Sequence, residues 1–249
     1  MVLFIADIHF GRGTRADERA KEHDLIACLD AHADAIEHLY LVGDVFDRYI
    51  EYRHLVPKGF VRFQARLAEW TDAGIPVTYL VGNHDPWHHS HFEAELGVRL
   101  TTAVQDEHFG RALHILHGDA AAAHGVIGRW LRKSMRHPVP VWLYRALLPG
   151  DAGVALAEWV NNRFHHEEPR PRVNNALRAH ARTLLRNRSV DGVVMAHTHV
   201  PEVQTWPEGT YLNTGPWHQR RSFGVLDADG WHLCRWNGTG RCAIEQALW

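Results

Sequence analysis

Five short apolar segments of this chain each run into a turn that carries carboxylate, amide or imidazole side chains. The segments are almost continuously apolar, which is typical of strands that are covered on both faces. In an open α/β sheet, ligands bind beyond the carboxyl ends of the strands, so turns that are distant in sequence can converge on one site. The turns contain Asp7 and His9, then Asp44 and Asp47, then Asn83, His84 and Asp85, then His117 and Asp119, and finally His197 and His199.

The intervals between the first turns show helical periodicity. One helix is predicted from about Asp17 to His32 and a second from Pro57 to about Asp72, because apolar residues recur there every three or four positions. This alternation of strands and helices predicts a mixed or parallel sheet with right-handed crossovers. Since the sequence contains no evident linker, we expect residues 1–249 to form a single α/β domain.

Residues 124–165 differ from the rest of the chain, because they lose the strand pattern and combine apolar with basic side chains. Pro138 and Pro140 divide the segment, which predicts two or three short helices inserted as a cap over the site. The helices could pack on a core of their own, or they could bind apolar and anionic groups of a substrate. On the second interpretation, the candidate substrate-binding residues are Arg129, Trp130, Arg132, Lys133 and Arg136.

The net charge of −2 argues against a dedicated DNA-binding protein, but the charge is unevenly distributed. Residues 124–190 hold 12 Lys and Arg against 4 Asp and Glu, whereas the rest of the chain holds 15 against 25. This basic segment indicates either a solvated helical face or a surface that contacts anions or a membrane.

Cysteine usage and hydropathy bear on the compartment. Cys28, Cys234 and Cys242 show neither the spacing of a metal site nor an even number, which predicts reduced thiols and a cytoplasmic protein. The apolar run at the N-terminus is too short for a signal peptide, and no segment reaches the length of a membrane span. We therefore expect a cytoplasmic protein that at most touches a membrane from outside.

The ligand-rich turns offer only oxygen and imidazole donors, a mixture that suits Mn²⁺, Fe or Zn²⁺ better than Ca²⁺ or a thiolate cluster. In a chain with 21 histidines, a single His or Asp is more often structural than functional. These residues, however, follow predicted strand ends, where packing in a core does not explain a polar side chain. The pattern therefore predicts a metal site.

The motifs Asp-x-His, Gly-Asp-x-x-Asp, Gly-Asn-His-Asp, His-Gly-Asp and His-x-His, in this order, resemble those of the calcineurin-like metallophosphoesterase superfamily. The resemblance spans about residues 3–215 and implies a four-layered α/β/β/α sandwich that holds two divalent metal ions. Mn²⁺ is the expected metal, with Fe or Zn²⁺ as alternatives. By motif, one ion takes Asp7, His9, Asp44 and His199, and the other takes Asp44, Asn83, His117 and His197.

The same resemblance implies roles for the remaining residues of the turns. Two cations neutralise the phosphoryl oxygens and activate water for in-line attack, so no covalent enzyme intermediate is needed. His84 is the candidate to stabilise or protonate the leaving group, and Asp47 is expected to pair with it. Asp85 and Asp119 are expected to orient ligands rather than to bind metal.

Within this superfamily, residues 43–60 and the helical insertion after Asp119 are similar to the UDP-2,3-diacylglucosamine pyrophosphatases of lipid A biosynthesis. This similarity implies a nucleotide-lipid substrate whose diphosphate is cut to lipid X and UMP. It also implies a cap that receives acyl chains, and peripheral contact with the cytoplasmic face of the inner membrane. No nucleic acid and no obligate protein partner are expected.

Three other functions remain open at this stage. His84 stands where the best-known branch of these pyrophosphatases has Arg, and residues 212–217 resemble generic superfamily members, which favours a phosphomonoesterase or phosphodiesterase of another substrate. A non-catalytic scaffold of this fold would lack metal ligands, and none is missing here. A nuclease would need a DNA-capping domain and a basic clamp, for which the chain is short.

Overall fold

Two β-sheets pack face to face in the computed structural model, which describes residues 1–122, 134, 136–164, 170–188 and 190–238. In chain order, the strands of these ranges are β1 (Val2–Ile5), β2 (His38–Leu41), β3 (Val77–Leu80), β4 (Arg99–Thr101), β5 (Ala103–His108), β6 (Arg111–Leu116), β7 (Gly192–Met195), β8 (Glu202–Trp206), β9 (Gly209–Asn213), β10 (Ser222–Leu226) and β11 (Trp231–Arg235).

Both sheets have a parallel centre; the first sheet has one antiparallel edge and the second has two. Within the described ranges the order of the first sheet is β11-β10-β1-β2-β3-β4, in which β1 to β4 are parallel and β10 runs antiparallel to β1. The second sheet has the order β5-β6-β7-β9-β8, in which β6, β7 and β9 are parallel. The carboxyl ends of β1, β2 and β3 in one sheet, and of β6 and β7 in the other, are the strand ends that the sequence predicts to carry ligands.

The helices lie on the outer faces of the sheets and in the connections. In the ranges that the structure describes they are α1 (Arg15–His32), α2 (Val61–Asp72), α3 (His91–Ala94), α4 (Asp119–Ala122), α5 (Pro138–Leu147), α6 (Gly150–Phe164), α7 (Arg170–Arg188) and α8 (Trp217–Arg220).

The alternation of side chains along β1 separates two layers of the core. Leu3 and Ile5 pack in a cluster with α1 and α2, whereas Val2 and Phe4 pack between the two sheets. A third cluster joins α7 to the outer face of β7 and β9, for example through Leu177. The layers are therefore helix, sheet, sheet and helix, which confirms the predicted α/β/β/α class.

Two expectations from the sequence need correction. Helix α2 begins at Val61 rather than at Pro57, because Gly59 and Phe60 adopt left-handed backbone conformations with φ of 113° and 52°, which interrupt the helix. Cys28 is a buried free thiol as expected, but Cys234 takes part in a disulfide, so the prediction that all cysteines are reduced is wrong.

The part of the predicted cap that the structure describes is helical and lies against the ligand turns. The guanidinium of Arg145 on α5 donates to the carbonyls of Trp87 and His88 at 2.9 and 3.2 Å, and the rings of Trp87 and Tyr144 meet edge-on with centroids 4.6 Å apart. In the described ranges, no helix combines the length and apolarity that crossing a membrane requires.

Candidate metal centre

Asp44, in the turn that follows β2, lies at the junction of the two sheets. Its Oδ2 is 3.3 Å from Nε2 of His117 in the second sheet and 4.0 Å from Nε2 of His9 in the first. Its Oδ1 accepts a hydrogen bond from the backbone N–H of His84 at 2.9 Å, which fixes the carboxylate. Asp44 therefore presents one oxygen to imidazoles from both sheets.

Asp7, His9 and His199 form one side of the site. Oδ2 of Asp7 accepts from the backbone N–H of His197 at 3.1 Å, while Oδ1 is buried 3.7 Å from Nε2 of His199 and has no hydrogen-bond partner among the described residues. Nε2 of His9 and Nε2 of His199 are only 3.2 Å apart. A buried carboxylate oxygen without a donor, beside two converging imidazole nitrogens, is an arrangement that a cation satisfies.

Asn83, His117 and His197 form the other side. Nε2 of His117 is 3.2 Å from Oδ1 of Asn83, and the rings of His117 and His197 meet edge-on with centroids 5.2 Å apart. Nδ1 of His117 donates to the carbonyl of Val42 at 2.8 Å, so Nε2, which faces Asp44, is the ring nitrogen available to a metal ion. The structure thus brings together every metal ligand that the sequence suggests.

The backbone at this site is held in a strained conformation. Five candidate ligands have left-handed φ values between 47° and 70°, although none is glycine. Such conformations cost on the order of 1–3 kcal/mol each and cluster at active sites and ligand clamps. The residues concerned are Asp7, His9, Asp44, His197 and His199.

Glycine provides the room that the close approach of the turns requires. A Cβ atom on Gly82 would overlap the carboxylate and the backbone nitrogen of Asp44, and one on Gly43 would overlap the ring of His117. The two sides of the site can therefore meet only because these positions carry no side chain.

The electrostatics of the site also favour a bound cation. Burial raises the pKa of Asp7 well above its ordinary value, and the charge of Asp44 adds to this. Burial by itself would lower the pKa of His117, but the charge of Asp44 raises it to about 10. Burial lowers the pKa of His197 to about 4, which favours the neutral, ligating form of this imidazole. The buried carboxylates therefore need positive charge beside them, which divalent ions would supply.

The residues expected to act in catalysis lie beside the candidate ligands. Nδ1 of His84 donates to the backbone carbonyl of Asp47 at 3.1 Å and is 4.0 Å from the Asp47 carboxylate. That carboxylate lies closer to His9, whose Nδ1 is 3.5 Å away. Asp47 thus contacts both histidines, His84 chiefly through its main chain and His9 through its side chain.

Asp85 and Asp119 are engaged away from the candidate metal position. Asp85 accepts from the backbone N–H groups of Val45 and Gly82 at 2.7 and 2.8 Å and from the hydroxyl of Tyr79, so it ties two ligand turns together. Asp119 pairs with the guanidinium of Arg136, in the cap segment.

Among the candidate substrate-binding residues, Arg136 is described by the structure. One of its guanidinium nitrogens, Nη2, donates to the carbonyl of Gly82 at 2.7 Å and to Asp119 Oδ2 at 3.1 Å. Arg136 therefore ties the segment before α5 to a ligand turn. The other candidates, Arg129, Trp130, Arg132 and Lys133, lie outside the described residues.

His218 is a residue of this site that the sequence pattern does not predict. Its ring meets those of His9 and His199 with centroid distances of 4.9 and 5.0 Å. It follows β9 in the same way that the candidate ligands follow their strands, but five residues beyond the strand end rather than one to four. The signal that could have found it is a sixth strand, β9, that is followed by a polar side chain.

Three groups at this junction could each hold a metal ion, since their ligand atoms lie within 4.8 Å of one another. Carboxylate oxygens and imidazole nitrogens are the donors that divalent transition metals take. The groups are Asp44 with His117 and His197, His9 with Asp44 and His84, and His9 with His199 and His218.

Residues 1–201 match the family of calcineurin-like phosphoesterases. The chain belongs to this family. It is therefore a metal-dependent phosphoesterase, and the donor set at the sheet junction fits the divalent metals that the family implies.

Several curated relatives cover most of the chain. A protein of Porphyromonas gingivalis named UDP-2,3-diacylglucosamine hydrolase is 27% identical, over 91% of this chain and 94% of its own length. Proteins of the same name from Edwardsiella ictaluri and Pseudomonas fluorescens are 25% and 26% identical, over 93% and 94% of this chain and 90% of each relative. The similarity therefore includes the segment that contains the cap.

We predict that Gly82→Ala lowers activity by about 10²-fold or more and weakens metal binding, because the added methyl displaces the Asp44 carboxylate, and a shift of about 1 Å in a catalytic group costs that much. Metal titration calorimetry and phosphodiesterase assays measure both effects. Gly110→Ala is the control, since a Cβ on Gly110 has open space around it, and the positive φ of Gly110, 68°, adds a backbone strain that Gly82 does not have. Equal losses in both variants would contradict the prediction.

Proposed function

We propose that this protein hydrolyses the diphosphate of UDP-2,3-diacylglucosamine, releasing lipid X and UMP with the help of two divalent metal ions. The observation that carries the proposal is that relatives bearing this activity in their names align over about nine-tenths of both chains. The chain also retains a complete set of candidate ligands, which a non-catalytic scaffold of this fold would not need.

The proposed ligand assignment follows the two sides of the site. Asp7, His9 and His199 would hold one ion, and Asn83, His117 and His197 the other, with Asp44 shared between them. Mn²⁺ is the expected metal, with Fe or Zn²⁺ as alternatives. When bound, two such ions supply an activated water and neutralise the charge of the phosphoryl oxygens.

Asp44 and Asn83 balance the charge of the proposed centre. The single Asp44 carboxylate can serve both ions because its Oδ2 lies between His9 and His117. Asn83 contributes an oxygen without adding charge. The centre therefore keeps a net positive charge with which to bind the anionic diphosphate.

His84 is proposed to act on the leaving group. Its Nδ1 is held by the carbonyl of Asp47, so Nε2 is the nitrogen that would meet the substrate. The leaving group is itself a phosphate monoester, whose second pKa is about 6, so a hydrogen bond from His84 suffices and full proton transfer is not required. Asp47 would orient His84 through its main chain and His9 through its carboxylate.

The cap is proposed to bind the lipid part of the substrate. Helices α5 and α6 expose large apolar side chains to solvent, among them Trp142 at 67% and Leu147 at 69% of their full area. Because Arg145 attaches α5 to the loop after the Asn83 turn, these side chains belong to an element beside the site. A soluble nucleotide would gain nothing from them, whereas two acyl chains or a membrane surface would.

The remaining partners follow from the same proposal. Exposed apolar residues beside basic ones suit a peripheral contact with the cytoplasmic face of the inner membrane. The lipid substrate and the lipid product would both reside in that membrane. No nucleic acid or obligate protein partner is required for the reaction.

The proposal is tested by an Mn²⁺-dependent assay for release of UMP from UDP-2,3-diacylglucosamine, run beside bis-p-nitrophenyl phosphate as a generic phosphodiester. We expect kcat/KM for the lipid nucleotide to exceed that for the generic substrate by several orders of magnitude, because acyl burial and binding of the anionic diphosphate at the site act together. If only the generic substrate is hydrolysed, UDP-2,3-diacylglucosamine is not the substrate. The result would then favour a phosphodiesterase, which is the alternative that His84 in place of Arg suggests.

His84→Ala should lower kcat by about 10²–10⁴-fold while leaving the metal content unchanged, since that range is usual for lost acid-base or hydrogen-bond assistance. Metal content is measured by elemental analysis after gel filtration. His232→Ala is the control, because His232 pairs with Asp227 at 3.1 Å on the hairpin of β10 and β11. Loss of metal in the His84 variant would instead identify His84 as a ligand.

Replacing Trp142 by Ala together with Leu143 by Ser should raise KM for the lipid nucleotide by at least about tenfold, because each buried methylene of an acyl chain contributes about 0.8 kcal/mol. The kinetics of the generic phosphodiester should not change. Val61→Ser is the control, since Val61 is a comparably exposed apolar residue, at 69%, on another helix.

An equal effect of the cap variant on both substrates would contradict lipid binding by the cap. Co-sedimentation with anionic phospholipid vesicles tests the membrane contact separately. We expect the unmodified protein to sediment with the vesicles and the cap variant to remain in solution to a greater extent. An unmodified protein that stays in solution would contradict the contact.

A further inference from the structure

We propose that His218 is a third imidazole ligand at the metal position of His9 and His199. This inference rests on the proposed function, because it extends the ligand assignment of one of the two ions. It adds a residue from the turn after β9, a sixth strand end that contributes to the site.

Two hydrogen bonds to a single carbonyl hold His218 in place. Its backbone N–H and its Nδ1 both donate to the carbonyl oxygen of Asp7, at 3.1 and 2.9 Å. Since a carbonyl can only accept, Nδ1 carries the proton, and Nε2 carries the lone pair. His117 is arranged in the same way, with Nδ1 bonded to the carbonyl of Val42. This is the arrangement by which a protein fixes the tautomer of a metal-binding histidine.

Nε2 of His218 has no hydrogen-bond partner in the part of the chain that the structure describes, although the atom is buried. A buried polar atom without a partner costs about 1–3 kcal/mol, so its presence requires an explanation. Oδ1 of Asp7, the residue to which His218 is anchored, is buried and unsatisfied in the same way. Two acceptors cannot satisfy each other, whereas each of them can be satisfied by a cation.

The three imidazoles are arranged around a common point. The ring centroids of His9, His199 and His218 are 4.9, 5.0 and 5.2 Å apart, and the ring planes are inclined by 71–85° to one another. One nitrogen from each ring lies within 4.8 Å of the other two. Packing of neutral rings alone would account for the edge-on contacts but would leave Nε2 of His218 unsatisfied.

The segment that carries His218 is rigid, so the imidazole is preorganised. Trp217 is fully buried, and its backbone N–H donates to the carbonyl of Ala6 at 3.1 Å. Arg221 donates to the carbonyl of His218 at 2.9 Å and pairs with Asp24 at 2.8 Å. Little conformational entropy is therefore lost when His218 binds an ion.

A third imidazole defines the class of metal. Imidazole nitrogen suits Zn²⁺, Fe and other first-row transition ions, whereas Mg²⁺ prefers oxygen and water. His218 would therefore discriminate against Mg²⁺, the most abundant competing divalent ion in a cytoplasm, and would raise the affinity of this position for a transition metal.

The test is calorimetric titration of the full-length, chelator-treated protein with Co²⁺, combined with the visible absorption spectrum of the bound Co²⁺. His218→Ala should weaken one of the two binding events by at least about 100-fold, since loss of even an outer partner of a ligand costs 10–100-fold. The spectrum should change as well, because it reports the ligand set. In His218→Gln the side-chain amide can still donate to the Asp7 carbonyl, so this variant should retain the fold. It should nevertheless bind Co²⁺ more weakly, as His218→Ala does.

Two further variants distinguish the outcomes. His32→Ala removes a buried imidazole elsewhere, one whose Nδ1 donates to the carbonyl of Cys28 at 2.7 Å, and should leave Co²⁺ binding unchanged. His9→Ala should abolish the same binding event that His218→Ala weakens. If His9→Ala weakens binding and both His218 variants bind Co²⁺ as tightly as the unmodified protein, the inference about His218 is overturned. If His9→Ala has no effect either, the proposed ligand assignment itself fails.

Discussion

The burial of Asp44 between imidazoles of two sheets is the interaction on which the rest of this structure depends. A carboxylate at such a position is costly unless positive charge compensates it. His9 approaches it from the first sheet and His117 from the second, within 4.0 and 3.3 Å. The requirement that all three meet explains the glycine at position 82, which leaves room for the carboxylate. It also explains why ligand residues accept left-handed backbone conformations that would otherwise be avoided.

The turns reach each other because the sandwich aligns the carboxyl ends of its parallel strands. Asp85 reinforces this alignment, since one carboxylate bonds the backbone of both Val45 and Gly82. Arg136 extends it to the cap by binding the carbonyl of Gly82 and the side chain of Asp119. The position of the cap is thereby coupled to the geometry of the turn that carries Asn83, so the cap and the candidate ligands share one support.

Much of this arrangement could be predicted from the sequence, because buried parallel strands have a distinctive apolar pattern and the polar residues that follow them have few structural explanations. The start of α2 could not, since Gly59 and Phe60 break the helix through backbone conformation rather than through composition. His218 was missed because a turn of irregular length separates it from β9, and only the bonds to the Asp7 carbonyl bring it to the site. The disulfide of Cys234 depends on which cysteines meet in space, which spacing alone does not reveal.

Asp44 is proposed to be shared by two metal ions, and crystallography of the Mn²⁺-loaded protein with anomalous scattering tests this sharing most directly. We predict two anomalous peaks per chain about 3.5–4 Å apart, the separation usual in two-metal sites, with the carboxylate of Asp44 in contact with both. A single fully occupied peak at saturating Mn²⁺, or an Asp44 carboxylate that contacts only one ion, would contradict it.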